Sequence, residues 1–210
     1  MTRCGALARL ALFVIDDAMP TPSATSDPFL PVLRGPRVAL RCLTSGDGAA
    51  FVAAAAASRE LHAEWVSAPS NATAYDAYVA RFGARFVPLG AFLHEGGALV
   101  GVLNLSEIVL GFFCNAYLGY YAFAPHARKG YIREGLDLVF SLAFEHLGLH
   151  RLESNIQPGN TDSIALVRRA GFVREGYSPA YLFIGGAWRD HERWAFRREL
   201  WSLPPDGLNG

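Results

Sequence analysis

The stretch that most constrains this chain is 118–136, Leu-Gly-Tyr-Tyr-Ala-Phe-Ala-Pro-His-Ala-Arg-Lys-Gly-Tyr-Ile-Arg-Glu-Gly-Leu. Tyr120, Tyr121 and Phe123 favour an extended segment, and Pro125 ends it. From Ile132 onward the apolar residues fall at helical spacing, with Leu136, Val139, Phe140, Ala143 and Leu147 on one face. Asp137, Ser141 and Glu145 mark the opposite face, and Gly148 stands where a helix stop is expected. The pattern is therefore strand, short basic glycine turn, amphipathic helix. A turn opening directly into a helix leaves several backbone N–H groups unpaired at its positive end. With Arg128 and Lys129 beside them, those groups suit a phosphate or pyrophosphate. The same residues also fit an ordinary strand-to-helix turn carrying two solvated basic side chains.

A second stretch, 151–172, repeats the scheme: strand, turn, helix, then Gly171-Phe172 opening another strand. Together the two stretches resemble the acyl-CoA-binding motifs of the Gcn5-related N-acetyltransferase (GNAT) superfamily. The branch most resembled is that of the ribosomal-protein alanine acetyltransferases. The likeness is carried by the aromatic strand ending near Pro125, the basic turn at Gly130 and the Glu134 that follows it. It continues through Arg151-Leu152-Glu153, Asn160, Ser163 and Gly171-Phe172. It closes with Glu175-Gly176, Tyr181-Leu182-Phe183 and Gly186-Ala187-Trp188-Arg189-Asp190. The resemblance extends over roughly residues 34 to 200.

It implies acetyl-CoA as co-substrate, no metal, and transfer of an acetyl group to a primary amine, either a protein N-terminus or a small amine. The backbone of Ala122, Phe123 and Ala124 would pair with the pantetheine amides. The turn through Ala127, Arg128, Lys129, Gly130, Tyr131 and Ile132 would hold the pyrophosphate, with Asn155, Asn160 and Ser163 completing the cofactor contacts. Ser163 would also assist the departing thiolate. Three positions depart from the family pattern: Ala127 stands where Gln or Arg is usual, Arg128 where a glycine is usual and Ile132 where a small residue is usual. A Cβ at residue 128 makes a positive φ there costly. The tyrosine that many relatives use as proton donor corresponds to Val167 here. Asn160 is also a good helix cap with Ser163 in the first turn, which needs no catalytic role. Glu107 is the foremost candidate for a general base, with His126 and Asp190 behind it. A non-catalytic acyl-CoA-binding or partner-binding module on the same fold is the competing expectation.

Composition bounds the remaining classes. Half of the residues are hydrophobic (51%) and 18% are charged, which describes a folded globular chain. Lys plus Arg and Asp plus Glu are each 19, so a broad nucleic-acid surface is not expected. Cys4, Cys42 and Cys114 are widely spaced with no C-x-x-C pair, which predicts neither a disulfide framework nor a zinc site and suits a reducing, cytoplasmic setting. Asp190-His191-Glu192 looks metal-like, but strand neighbours point to opposite faces.

Residues 1–36 read as an N-terminal extension and Pro-rich linker, 37–200 as the acetyltransferase domain and 201–210 as a tail. In residues 1–19, Arg9 interrupts the apolar run and Asp16-Asp17 end it, so neither a signal peptide nor a membrane span is expected. The segment reads equally as an upstream extension before Met19 or as an amphipathic helix. The expected elements are a strand at 37–43 and helices at 49–57, 61–65 and 74–86. Strands at 91–94, 99–108 and 118–124 follow, then a helix at 131–147. A strand at 152–157, a helix at 161–170 and two final strands at 172–184 and 187–198 complete the order. This order predicts an α+β fold, a twisted and mostly antiparallel sheet with a central parallel strand pair and helices on both faces. Trp65, Tyr177, Tyr181, Phe183 and Trp188 would make the acceptor side aromatic. An amine acceptor is the expected partner, no nucleic acid or membrane is expected, and a homodimer is compatible with the sequence.

Overall fold

The computed structural model describes residues 30–63 and 65–201. The expectations for residues 1–29 and for the tail after Trp201 lie outside the described residues. The chain forms one eight-stranded sheet in the order β1-β2-β3-β4-β5-β6-β8-β7. The strands are β1 (Leu33–Arg34), β2 (Val38–Cys42), β3 (Phe86–Leu93), β4 (Leu99–Val109), β5 (Asn115–Ala122), β6 (Arg151–Ile156), β7 (Val173–Ile184) and β8 (Ala187–Arg197). Every neighbouring pair is antiparallel except β5 and β6. The α+β class and the central parallel pair are as the element order predicts.

The helices are α1 (Gly48–Ala57), α2 (Arg59–His62), α3 (Ala72–Val79), α4 (Tyr131–Ser141) and α5 (Thr161–Arg169). Asn71 caps α3 by accepting from Ala74 N at 2.9 Å, and Asn160 caps α5 by accepting from Ser163 N at 3.1 Å. Helix α4 continues into a π-helical turn, Leu142–His146, where Leu147 N reaches back five residues to Leu142 O.

Several boundaries differ from expectation: the helix expected at 61–65 is Arg59–His62, and the strand expected at 118–124 is Asn115–Ala122. The sheet begins at Leu33, before the expected domain start at 37, because β1 pairs with β2. Helix α3 stops at Val79, and Phe86 already belongs to β3. The strand expected at 91–94 starts earlier, at Phe86, with Pro88 inside it. The Pro88 carbonyl accepts from Leu43 N at 2.9 Å, at the level where β2 ends, so the N–H that proline lacks falls where the partner strand turns away.

Two apolar layers cover the sheet. On one face α4 and α5 bury Leu136, Val139, Phe140, Ile164 and Val167 against Leu103, Leu105, Leu118, Leu152 and Phe196. Phe140 and Phe196 stack with ring centroids 4.3 Å apart. On the other face α1 and α3 bury Phe51 and Tyr75 against Val102 and Phe123. Phe51 meets Phe123 edge-on at 5.4 Å. The parity of β5 decides which residue serves which layer: Leu118 and Tyr120 face α4 and α5, Tyr121 and Phe123 face α1 and α3.

Helix α4 sits so low on β4 that Gly101 cannot carry a side chain. A Cβ there would lie 2.3 Å from Cδ1 of Ile132 and 2.6 Å from the Tyr121 carbonyl oxygen. Gly101→Ala is therefore expected to destabilise the fold by about 1–3 kcal/mol through overpacking. Urea denaturation reads this directly, and an unchanged midpoint would mean that the first turn of α4 does not rest on β4.

Candidate active site

Strands β5 and β6 stay in register only for Asn115–Arg151, Ala116–Leu152 and Tyr117–Glu153. Beyond that the two strands part, and at the fork Ser154 Oγ donates to the Leu118 carbonyl at 2.9 Å. A wedge thus opens in the middle of the sheet at the C-terminal ends of its two parallel strands, the usual place for a ligand crevice.

The backbone lining that wedge follows from the β4 pairing. Phe123 N donates to Val100 O at 2.8 Å, so Phe123 and Val100 form a hydrogen-bonded pair. Ala122, opposite Gly101, must then turn its N–H and C=O away from β4 and toward the wedge. Two side chains from the opening helices meet this edge. His62 Nε2 lies 2.9 Å from the Ala122 carbonyl oxygen, and Ser58 Oγ accepts from Ala124 N at 2.9 Å. Both residues are buried. Ala122, Phe123 and Ala124 therefore stand where the sequence places them, but Phe123 bonds within the sheet and Ala124 N is held by Ser58. The wedge-facing groups of Ala122 are the ones left for an extended ligand, since its carbonyl oxygen has a second lone pair beside His62.

Gly130 precedes α4 at φ 83°, and Arg128 also adopts a positive φ of 61°. The turn keeps its left-handed residue although the sequence offers no glycine there. Among the described residues, the N–H groups of 127–133 donate to no protein acceptor, which leaves a row of donors at the positive end of α4. This row, with Ala127, Arg128, Lys129, Gly130, Tyr131 and Ile132, is suited to a pyrophosphate. Arg128 Nη2 reaches Asp162 Oδ2 at 2.7 Å, linking the α4 turn to the first turn of α5. Both groups are exposed, so the bridge adds little stability.

A carboxylate holds this turn against the sheet edge. Glu134 Oε1 accepts from Arg37 N at 2.6 Å and Val38 N at 2.9 Å, and Oε2 accepts from Arg37 Nε at 2.9 Å. Arg37 also donates to the Lys129 carbonyl at 3.1 Å. Burial alone would raise the Glu134 carboxyl, but the two backbone donors and the Arg37 guanidinium together hold it below the usual range.

On the other lip, Ser163 Oγ donates to Tyr120 Oη at 2.8 Å, while Tyr120 Oη reaches the Ser163 carbonyl at 3.3 Å. Burial pushes the Tyr120 phenol up, so it stays a protonated donor. Asn155 Oδ1, in the diverging part of β6, is buried without a hydrogen-bond partner among the described residues. An orphaned acceptor beside an open wedge suits an amide N–H of a bound pantetheine chain. Val167, the position of the tyrosine common in relatives, is fully buried.

The candidate bases fare differently. Glu107 is not brought to the wedge. Strand β4 runs antiparallel to β5, so its end lies beside the start of β5, about 17 Å along the strand from Ala122 at ~3.3 Å per residue. Glu107 pairs there with Arg85 in an exposed ion pair. Asp190 accepts from the Tyr177 hydroxyl and from Ala180 N, fastening an irregularity in β7. His126 lies in the turn, 6.3 Å from the Tyr131 ring. Of the expected acceptor-side aromatics, Trp65 lies over Gly159, where a Cβ would come within 3.0 Å of its ring. Phe183 and Trp188 pair at the exposed hairpin tip. Sequence reasoning missed Ser58, His62 and Tyr120. Only Tyr120 left a trace, as part of the aromatic strand.

Glu134→Gln should destabilise the fold by about 1 kcal/mol or more near neutral pH, because charge-assisted bonds become neutral ones. The carboxyl of Glu134 is depressed in the folded state, so its contribution is complete above the unfolded carboxyl range and is lost as pH falls through the folded value. Unfolding free energies at several pH values should show the gap between wild type and variant closing on acidification. A gap independent of pH would remove Glu134 from its place at the turn.

The description "Acetyltransferase (GNAT) domain" matches residues 37–173 of this chain. A probable N-acetyltransferase of Bacillus subtilis is 35% identical over 49% of this chain and 57% of its own length. The ribosomal protein uS5 alanine N-acetyltransferase of Escherichia coli is 35% identical over 54% of this chain and 58% of its own. The matched region thus spans under six tenths of these curated relatives. Among solved structures, Mycobacterium smegmatis RimJ in complex with CoA-disulfide superposes with a TM-score of 0.71 at 27% identity, covering 77% of this chain and 82% of that one. Spermidine N-acetyltransferase from Vibrio cholerae, in complex with CoA and spermine, shares the fold at a TM-score of 0.68 and 20% identity, over 79% of this chain and 98% of that one. With its splayed parallel strands and donor-lined turn, the chain belongs to the GNAT acetyltransferase family.

Proposed function

We propose that this protein transfers an acetyl group from acetyl-CoA to the α-amine of a peptide or protein. The observation that carries the reading is the wedge itself: the wedge-facing N–H and C=O of Ala122 on one lip, the carbonyl also bonded by His62, the N–H row of 127–133 at one end, and the Ser163 hydroxyl on the other lip. Acetyl-CoA supplies the activated acyl group. The chain's residues hold it extended along β5, anchor its pyrophosphate on the turn and offer Asn155 Oδ1 to an amide N–H. The Ser163 hydroxyl hydrogen lies on Tyr120. Rotation about Cβ–Oγ turns it toward the leaving sulfur while the protonated Tyr120 phenol donates to Oγ in its place.

The peptide acceptor is favoured over a polyamine by the cavity at α2. It measures about 260 Å³ and is lined by small residues together with Arg59 and His62, with no carboxylate among its described lining residues. A polyamine carries several cations and needs acidic partners. Relatives point both ways, since one is a ribosomal-protein alanine acetyltransferase and another a spermidine acetyltransferase.

Thiol release from acetyl-CoA tests the reading, with an alanine-terminated peptide and spermidine as alternative acceptors. Turnover with the peptide exceeding that with spermidine is the expected result, and millimolar acetyl-CoA should raise the melting temperature. Binding without thiol release on any amine would leave a binding module. Neither binding nor release would overturn the proposal. Ser163→Ala should lower turnover about ten- to a hundredfold with little change in acetyl-CoA affinity. Asn160→Ala removes the α5 cap and should cost about 1 kcal/mol of stability. Full turnover in Ser163→Ala would mean that the thiolate leaves without its help.

A further inference from the structure

We infer that His62 is the general base of this site, taking the proton of the acceptor amine on Nδ1; this rests on the acetyl-transfer reading above. The sequence offered Glu107 for this role, with His126 and Asp190 behind it; Glu107 and Asp190 are engaged elsewhere, and His126 lies in the turn beside Tyr131.

The position comes first. Two residues, one in α2 and one after it, touch the two lips of the wedge. At one end His62 Nε2 touches the Ala122 carbonyl at 2.9 Å, and at the other Trp65 lies over Gly159 in the loop that follows β6. The His62 ring packs on Tyr121 at 5.1 Å and Phe123 at 5.8 Å, both on the α1 and α3 face of the sheet. The pyrophosphate turn and Ser163 belong to the opposite face, with α4 and α5. An imidazole therefore stands beside Ala122 at the opened end of β5, on the side away from the cofactor anchor. An amine reaching the thioester from that side passes the His62 ring.

The tautomer follows from the hydrogen bond. A carbonyl oxygen can only accept, so in the neutral ring Nε2 carries the hydrogen and Nδ1 keeps its lone pair. Among the described residues, the ring packs on Tyr121 of β5, whose phenol burial holds well above its ordinary value, and shares a cavity with Arg59 of α2. Helix α1 contributes Ala55 to that cavity, and the segment after α2 contributes Val66 and Ala68.

In the step this supports, the acceptor ammonium gives one proton to Nδ1 and its freed lone pair forms the C–N bond at the thioester carbonyl carbon. The C–S bond breaks, and the second nitrogen proton ends on sulfur by way of the Ser163 hydroxyl. The imidazolium returns its proton to water. One amide, one free thiol and one released proton balance the reactants.

Two measurements decide the matter. Long-range proton–nitrogen NMR of the full chain without cofactor, at a pH where the ring carries one hydrogen, should show that hydrogen on Nε2 and not on Nδ1. The opposite tautomer overturns the assignment whatever the activity. Kinetics with acetyl-CoA and the alanine-terminated peptide then separate base from brace. His62→Gln keeps an N–H donor for the Ala122 carbonyl but has no basic nitrogen, so kcat should fall about 10²- to 10⁴-fold with the KM for acetyl-CoA kept. His62→Ala should recover part of its loss with added imidazole. His62→Gln at wild-type kcat, or no rescue of a folded His62→Ala, overturns the inference and leaves His62 as a brace for β5. A wild-type chain without thiol release on either amine defeats the transferase reading itself, an outcome distinct from loss in the variants alone.

Discussion

The structure depends on how a sheet is allowed to come apart in its middle. Strands β5 and β6 separate after three paired residues, and each residue beyond that leaves backbone donors and acceptors without a strand partner. Buried peptide groups without partners cost about as much as lost hydrogen bonds. The chain answers this in three ways. Ser154 closes the fork by bonding the Leu118 carbonyl, Ser58 and His62 take groups near the end of β5, and the remainder faces the gap between the two strands. The candidate site is therefore the unsatisfied part of the sheet, bounded by the side chains that satisfy the rest.

Both lips need rigid backing if the wedge is to stay open without cofactor. On one lip, Gly101 lets Ile132 press α4 against β4, and Glu134 ties the turn to the start of β2 through three hydrogen bonds. On the other, Asn160 caps α5 and sets Ser163 against Tyr120. Arg151 links Glu153 and Glu175, joining β6 to β7 beneath the wedge. These ties come from residues far apart in sequence, which is why removing any one loosens a lip without touching the core layers. The positive φ at Arg128 is consistent with such backing, because a side chain in that region persists only where surrounding contacts fix it.

Much of this was legible in the sequence because it is local. Period 2 in Tyr120 to Ala122, period 3.6 from Ile132 onward and the cap at Asn160 each reflect neighbours within a few residues, and they yielded the strand–turn–helix units and their order. The turn at 127–132 was readable for the same reason, since backbone donors at a helix start need no partner from elsewhere. What failed was what depends on register. Glu107 sits at a strand end, but only the antiparallel pairing of β4 with β5 reveals that this end lies far from Ala122. Pro88 read as a breaker because its missing N–H matters only in relation to where β2 stops. Tyr120 and Ser163 meet across 43 residues, and His62 meets Ala122 across 60. No periodicity encodes such contacts.

The two faces of the sheet divide the chemistry as well as the core. A reaction that releases a thiolate and consumes an amine must supply a proton at sulfur and remove protons from nitrogen. Here the Ser163–Tyr120 pair lies with α4 and α5, while His62 lies with α1 and α3, and the wedge passes between them. The parity of one strand enforces the separation: Tyr120 and Tyr121 are adjacent in sequence yet serve opposite layers. Tyr121 carries the ring against which His62 rests, and Tyr120 carries the hydroxyl that receives Ser163. A one-residue slip of β5 would exchange these partners and move each side chain to the opposite layer. The buried aromatic layers that fix the register of β5 are thus as much a part of the site as the groups that would touch the substrates.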